Sequence, residues 1–242
     1  MRYALISDIH ANLEALISVL SHIETQHIDS IVCLGDIVGY GPSPNECIDL
    51  IAQSCDIILT GNHDFSCIDS DEKYRFNQYA RIAIEWTNSE LTEASRAVLN
   101  DVKLEDRIDQ YLLVHSSPDD PIMWNYIITL EHAIENFGTF DDVACFLGHT
   151  HVPVVFNKKE AGSYGLIRNN PVTLFQTEQY LINVGSVGQP RDGNVDASYG
   201  ILDTSNREYE NIRIPYDVAK TQTKMEEIGL PTFLINRMAH GR

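Results

Sequence analysis

Apolar positions recur along this chain in two rhythms. In the first half, short runs rich in β-branched residues alternate with stretches whose apolar residues return every three or four positions, the patterns of strands and amphipathic helices. Residues 2–7 (RYALIS) read as a strand, and 11–26 (ANLEALISVLSHIETQ) as a helix with Leu13, Leu16, Ile17 and Leu20 at helical spacing. SIVCLG (30–35) predicts a second strand, PNECIDLIAQS (44–54) a second helix opened by Pro44, and DIILTG (56–61) a third strand. Residues 71–100 are polar and helical, with Ala80, Ile82, Ala83 and Trp86 as the expected buried stripe. QYLLVHSS (110–117), a helical LEHAIENFG (130–138) and VACFLGHTH (143–151) continue the alternation.

Beyond residue 152 the rhythm shortens. PVVFN, SYGLIR, VTLFQT, QYLINVGS, SYGILDT and REYENIRIP are β-type runs joined by Gly, Asn and Pro turns, which predicts an antiparallel sheet. A helix over 217–229 ends at Gly229, and a last helical piece follows Pro231. No repeat or linker divides the chain, so a mostly parallel half running into a β-rich half predicts an α/β fold, one domain over 1–242 with two packed sheets.

Five of the apolar runs end alike. YALIS meets Asp8 and His10, IVCLG meets Asp36, IILTG meets Asn62-His63-Asp64, YLLV meets His115, and ACFLG meets His149 and His151. Strands of a parallel sheet share one carboxyl edge, where ligand sites form. If these strands are neighbours, Asp, Asn and His converge on one patch, and such a patch needs a cation to neutralise and order it. Carboxylate, imidazole and amide oxygen suit Mn²⁺, Fe²⁺ or Zn²⁺. Seven ligand candidates exceed one tetrahedral ion and suffice for two sharing a carboxylate, a device used to hydrolyse phosphate esters. Gly148 is expected to let the chain bend toward the ions.

Composition then narrows the chemistry. Thirty-five acidic against 17 basic residues give a net charge of −18, which disfavours binding a nucleic-acid duplex. Five scattered cysteines (Cys33, Cys47, Cys55, Cys67, Cys145) lack C-x-x-C spacing, against both a disulfide framework and thiolate-held zinc. Cys67 lies near the polar patch, as an oxidisable or metal-binding group or as a packed thiol. No run approaches a membrane span or a secretory signal, so the expected location is the cytoplasm, with no membrane partner. His22, His27, His132 and His240 fall on helical stretches outside any motif and are expected to be solvated or packed.

The order D-x-H, G-D, G-N-H-D, H, G-H-x-H resembles the calcineurin-like metallophosphoesterases over nearly the whole chain. The segments DIHANLEAL and GDIVGYGPSPNEC resemble the small prokaryotic phosphodiesterase-like subgroup. Resemblance implies a four-layer α/β/β/α sandwich of two mixed sheets with helices outside and a two-metal site at the strand ends. It implies one ion on Asp8, His10 and His151, another on Asn62, His115 and His149, and Asp36 bridging. A water or hydroxide between the ions would attack phosphorus in line. His63 would face the phosphate as an acid or hydrogen-bond donor, with Asp64 orienting its ring, and Asn62 could also donate to a phosphate oxygen. Asn12 and Tyr40 are further candidates for substrate contact. Arg191, in a family-like N-x-G-S-x-G-x-P-R segment, would either grip a phosphate or pair with Asp192 or Asp196 to pin the turn. Met123 and Trp124 would cap the site or pack in the core.

Tyr40 stands where protein Ser/Thr phosphatases and symmetrical dinucleoside tetraphosphatases usually have Arg, and Asp64 where they commonly have Glu. The expected activity is therefore hydrolysis of small phosphodiesters, with phosphomonoesters as further substrates and two divalent ions, Mn²⁺ first, with Fe, Zn, Ni or Mg also suited. The alternatives are a dinucleoside polyphosphate hydrolase, a protein phosphatase-like enzyme or a non-catalytic metal-binding scaffold. The partner is a small phosphoester, and the chain is compatible with a homo-oligomer.

Overall fold

The computed structural model describes residues 1–68 and 76–242, so residues 71–75 of the helix expected over 71–100 lie outside it. One six-stranded sheet has the order β3-β2-β1-β11-β12-β9: β3 (Ile57–Ile58), β2 (Ser30–Cys33), β1 (Arg2–Ile6), β11 (Ala197–Asp203), β12 (Glu208–Ile214) and β9 (Val172–Thr173). The other has the order β4-β5-β6-β10-β7-β8: β4 (Glu105–Ile108), β5 (Tyr111–Val114), β6 (Ala144–Leu147), β10 (Gln179–Asn183), β7 (Val154–Lys158) and β8 (Tyr164–Ile167). β1, β2 and β3 are parallel, as are β5, β6 and β10, and antiparallel strands complete both sheets.

The two sheets are not the two halves of the chain. The β-type runs after residue 152 do not form their own antiparallel sheet; they are shared out, three to each sheet. Side-chain alternation explains how one strand serves two layers. Ala4 and Ile6 of β1 pack toward α1 (Leu13–Ile23) and α2 (Pro44–Ser54), while Tyr3 and Leu5 meet the second sheet. In β6, Ala144 and Phe146 face the first sheet, and Cys145 and Leu147 face α6 (Leu130–Asn136). Burial on both faces is why these strands read as continuous apolar runs. The layers are helix, sheet, sheet, helix, in agreement with the expected sandwich.

Some local expectations are corrected. Ile82 of α4 (Gln78–Glu90) is exposed and Ile84 takes its place beside Ala80 and Ala83, while Ile17 of α1 is also exposed. β4, with the sequence EDRI, has no apolar signature; it is an edge strand whose charges guard against further pairing. α3 (Asn62–Ile68) follows β3 after a three-residue turn, α5 spans Glu93–Asn100, and α7 (Val218–Glu227) and α8 (Thr232–Met238) close the chain. Among the described residues no helix is long and apolar enough to cross a membrane.

Candidate metal centre

The carboxyl ends of β1, β2, β3, β5 and β6 meet at one edge of the sandwich, where both sheets contribute. The backbone there turns sharply. Eight of the twelve described non-glycine residues at positive φ are Asp8, His10, Ala11, Asp36, Tyr40, Trp124, His149 and His151. Left-handed backbone is costly for side chains other than Gly, Asn and Asp, and such strain gathers at functional sites. Here it turns each chain off its strand so that the ligand-type side chains point inward.

Two clusters result. Asp8, His10, Asp36 and His151 form one, and Asp36, His115 and His149 the other, all buried, each with donor atoms within 4.8 Å of one another. Asp36 belongs to both: its Oδ2 lies 3.6 Å from His10 Nε2 and 3.4 Å from His115 Nε2, and its Oδ1 accepts from the His63 backbone N–H at 2.8 Å. Asp8 accepts from the His149 N–H at 3.1 and 3.0 Å and lies 3.3 Å from His151 Nε2. Asp8 leaves the first sheet and His149 the second, so this contact stitches the two sheets at the site.

A backbone carbonyl holds one ring nitrogen of each of four histidines. His10 Nδ1 meets Val38 O at 3.0 Å, His115 Nδ1 meets Leu34 O at 2.9 Å, His151 Nδ1 meets Gln189 O at 2.6 Å, and His149 Nε2 meets Trp124 O at 2.9 Å. Such contacts fix the tautomer of a metal-binding imidazole and, in a neutral ring, leave the other nitrogen unprotonated. For His10 and His151 those free Nε2 atoms face each other at 3.1 Å. Burial holds both rings well below the usual histidine range, so they are neutral and two lone pairs oppose. Asn62 Oδ1 and His115 Nε2 are buried without a hydrogen-bond partner. Opposed lone pairs and an unpaired amide oxygen are disfavoured in a buried site without a cation between them, so the residues fit divalent metal.

Electrostatics agree with geometry. Burial pushes the Asp8 carboxyl up to about 7, whereas burial of Asp36 is overcome by His115, His63 and His10, which hold it well below the usual range. His115 shows the reciprocal effect, since burial disfavours its charge but Asp36 draws it up to about 9. Burial lowers His149 to about 3 and His63 to about 4.

Two glycines make room for the carboxylates. A Cβ on Gly61 would lie 2.1 Å from Asp36 Oδ1, and one on Gly148 would lie 2.0 Å from Ser7 Oγ and 2.4 Å from Asp8 Oδ2. Gly148 is therefore needed for close approach, and the bending expected of it falls to His149 and His151 at positive φ.

A cavity of about 500 Å³ opens over the second cluster, lined by Asn62, His63, His149, Arg191, Met123 and Trp124 among others. Met123 and Trp124 thus cap the site, and the core role is excluded. Tyr40 is buried against His10 and His63, with ring centroids 4.7 and 4.4 Å away. Arg191 lies over the Tyr40 ring at 5.6 Å and donates to Gln189 Oε1 at 2.8 Å. Its pairing with Asp192 or Asp196 does not occur; Arg213 takes the Asp192 carboxylate and the Asp196 carbonyl instead.

Asp64 makes no hydrogen bond to the His63 ring. Its carboxylate accepts from the Val38 and Gly61 N–H groups, both at 3.0 Å, and latches the loops after β2 and β3 together. Asn12 is buried and its amide is engaged within the fold: its Nδ2 donates to Gly188 O at 2.8 Å, and its Oδ1 accepts from Ala15 N–H and Thr221 Oγ. Cys67 is a buried thiol whose pKa burial raises, so it is packed. Arg237 and Phe233 of α8, and Phe76, also line the cavity and carried no motif by which sequence could find them.

Residues 1–207 match the calcineurin-like phosphoesterase superfamily domain. The chain is 38% identical over 243 residues to an uncharacterized protein of Methanocaldococcus jannaschii, covering 99% of this chain and 98% of the relative. A crystal structure of a metallophosphoesterase from Sphaerobacter thermophilus is 40% identical with a TM-score of 0.88, over 100% of this chain and 99% of the other. A hypothetical protein from Pyrococcus horikoshii OT3 shares the fold at 18% identity and a TM-score of 0.80, over 100% and 98%. The chain belongs to the calcineurin-like phosphoesterase superfamily. It is a metal-dependent phosphoester hydrolase with an Asp/His cluster for the metal.

Proposed function

We propose that this enzyme hydrolyses small phosphodiesters, and phosphomonoesters as well, with two divalent ions, Mn²⁺ first. The observation that carries the reading is Asp36 Oδ2, set between His10 Nε2 and His115 Nε2 as the one carboxylate common to both clusters. Asp8, His10 and His151 would hold one ion, Asn62, His115 and His149 the other, and Asp36 would join them. Bound there, the ions supply Lewis acidity that lowers the pKa of an attacking water and draws charge from the phosphoryl oxygens.

The protein's own groups then orient the substrate. Arg191 brings a positive charge to the cavity of this acidic chain, and its guanidinium stacks on Tyr40. This supports Arg191 as the phosphate grip and Tyr40 as its platform. His63 lines the cavity and donates a ring N–H to the phosphoryl or leaving oxygen. Trp124 and Met123 limit water at the mouth.

The test is a panel of phosphoesters assayed with added Mn²⁺, Ni²⁺, Mg²⁺ or Zn²⁺, with metal content measured on the same protein. Aryl phosphodiester cleavage with about two equivalents of metal is expected. Metal uptake without cleavage of any diester, monoester or dinucleoside polyphosphate would leave a binding scaffold.

A further inference from the structure

The described lining of the cavity over the second cluster differs in composition from the chain as a whole. The chain holds 35 acidic and 17 basic residues, yet no Asp or Glu appears among the described residues that line this cavity, while Arg191 and Arg237 both do. Arg2, Arg107 and Arg213 each pair with a carboxylate, of Asp203, Asp142 and Asp192 respectively. Among the described residues neither Arg191 nor Arg237 pairs with an Asp or Glu side chain. The Nε of Arg237 donates to the main-chain oxygen of Arg242, and its guanidinium lies over the Phe233 ring at 5.7 Å. Burial, together with the nearby charge of Arg191, lowers Arg237 to about 10. Two like charges held together in a half-buried cavity repel unless an anion lies between or beside them.

The two arginines are held differently. Arg191 lies over the Tyr40 ring, which packs against the His10 and His63 rings, so it stands beside the clusters. Arg237 instead lies over the Phe233 ring of α8, on another part of the cavity wall. The walls beside it carry the aromatic rings Phe76, Trp124, Tyr126 and Phe233, and about 500 Å³ accepts a ligand of nucleotide size. Aromatic faces and arginine together suit a base and its phosphates.

We infer that Arg237 binds a second anionic group of the substrate, so that the cavity selects phosphoesters of nucleotide type, in which a further phosphate and an aromatic base accompany the reacting phosphate. The inference rests on the phosphoesterase reading above.

The test compares two esters with the same leaving group and the same base: the 4-nitrophenyl ester of AMP and the γ-(4-nitrophenyl) ester of ATP, both with the Mn²⁺-loaded enzyme. Arg237→Gln is expected to lower the ratio of kcat/KM for the triphosphate ester to that for the monophosphate ester by about tenfold or more, as for loss of one charge-assisted hydrogen bond, with Arg237→Lys recovering part. Calorimetric binding of ADP to the same proteins is expected to weaken by a similar factor in Arg237→Gln. A ratio and an ADP affinity both unchanged would overturn the role of Arg237 while leaving the phosphoesterase reading intact. If the wild type cleaves neither ester yet ADP binding depends on Arg237, the phosphoesterase reading fails and the anion site stands.

Discussion

The two ligand clusters share Asp36 but are built differently. In the first, the His10 and His151 rings stack with centroids 4.8 Å apart and their free nitrogens 3.1 Å apart, and neither ring lines the cavity. In the second, the His115 and His149 rings meet edge to face at 5.1 Å, and Asn62 and His149 line the cavity wall. All the members are buried, yet the first cluster lies behind the cavity wall and the second borders the cavity. The difference teaches that a nearly symmetrical set of donors acquires two settings from its place relative to the cavity, not from its burial.

The most damaging change removes what the clusters share. Asp36→Asn should lower bound metal at both and abolish hydrolysis, a loss of about 10³-fold or more, read by metal analysis and by aryl phosphodiester turnover. Full activity would sink the shared-carboxylate role. His63 belongs to neither cluster, so His63→Ala should keep the metal and lose about 10²–10³ in kcat, as for removal of one transition-state donor. A fall in metal content would instead make His63 a ligand.

Gly148→Ala bears first on the first cluster, because its methyl would strike Ser7 Oγ and Asp8 Oδ2. A stability loss of about 1–3 kcal/mol in denaturant unfolding is expected, with the metal deficit confined to one equivalent. Loss of both equivalents would mean that the clusters assemble together.

The smallest effect lies far from both. Burial raises the Glu14 carboxyl, but Lys224, at 2.6 Å, and Lys220 hold it below the usual range, tying α1 to α7. A lowered folded pKa stabilises the protein above the unfolded value, and the gain is lost as pH falls through the folded value. Lys224→Ala should therefore cost about 1 kcal/mol at pH 7 and nothing once Glu14 is protonated, as urea midpoints across pH would show. A pH-independent difference would assign the loss to packing.

Much of this was legible in order along the chain. Each ligand follows an apolar run because strand ends deliver side chains to an edge, so Asp8, Asp36, Asn62, His115, His149 and His151 stood out without coordinates. The glycines of G-N-H-D and G-H-x-H were visible, but their purpose was not. Gly148 yields its Cβ space to Asp8, a residue 140 positions earlier, and no local pattern encodes that. The contacts of Asp64 and Asn12 were hidden for a related reason. Both are polar and adjacent to ligands, yet their hydrogen bonds run to backbone groups of other loops. β4 was invisible because an edge strand with charged side chains has no apolar rhythm.

By itself, the sequence determined the strands, most of the helices, and which residue types stand at each strand end, because side-chain periodicity and burial on both faces are properties of short segments. Only the tertiary structure decided how the later strands divide between the sheets, that Arg213 and not Arg191 pins the turn, and that Arg237 reaches the cavity. Those outcomes depend on pairing and charge contacts between distant segments. The energies that select them arise only when the two sheets pack and water leaves the space between them.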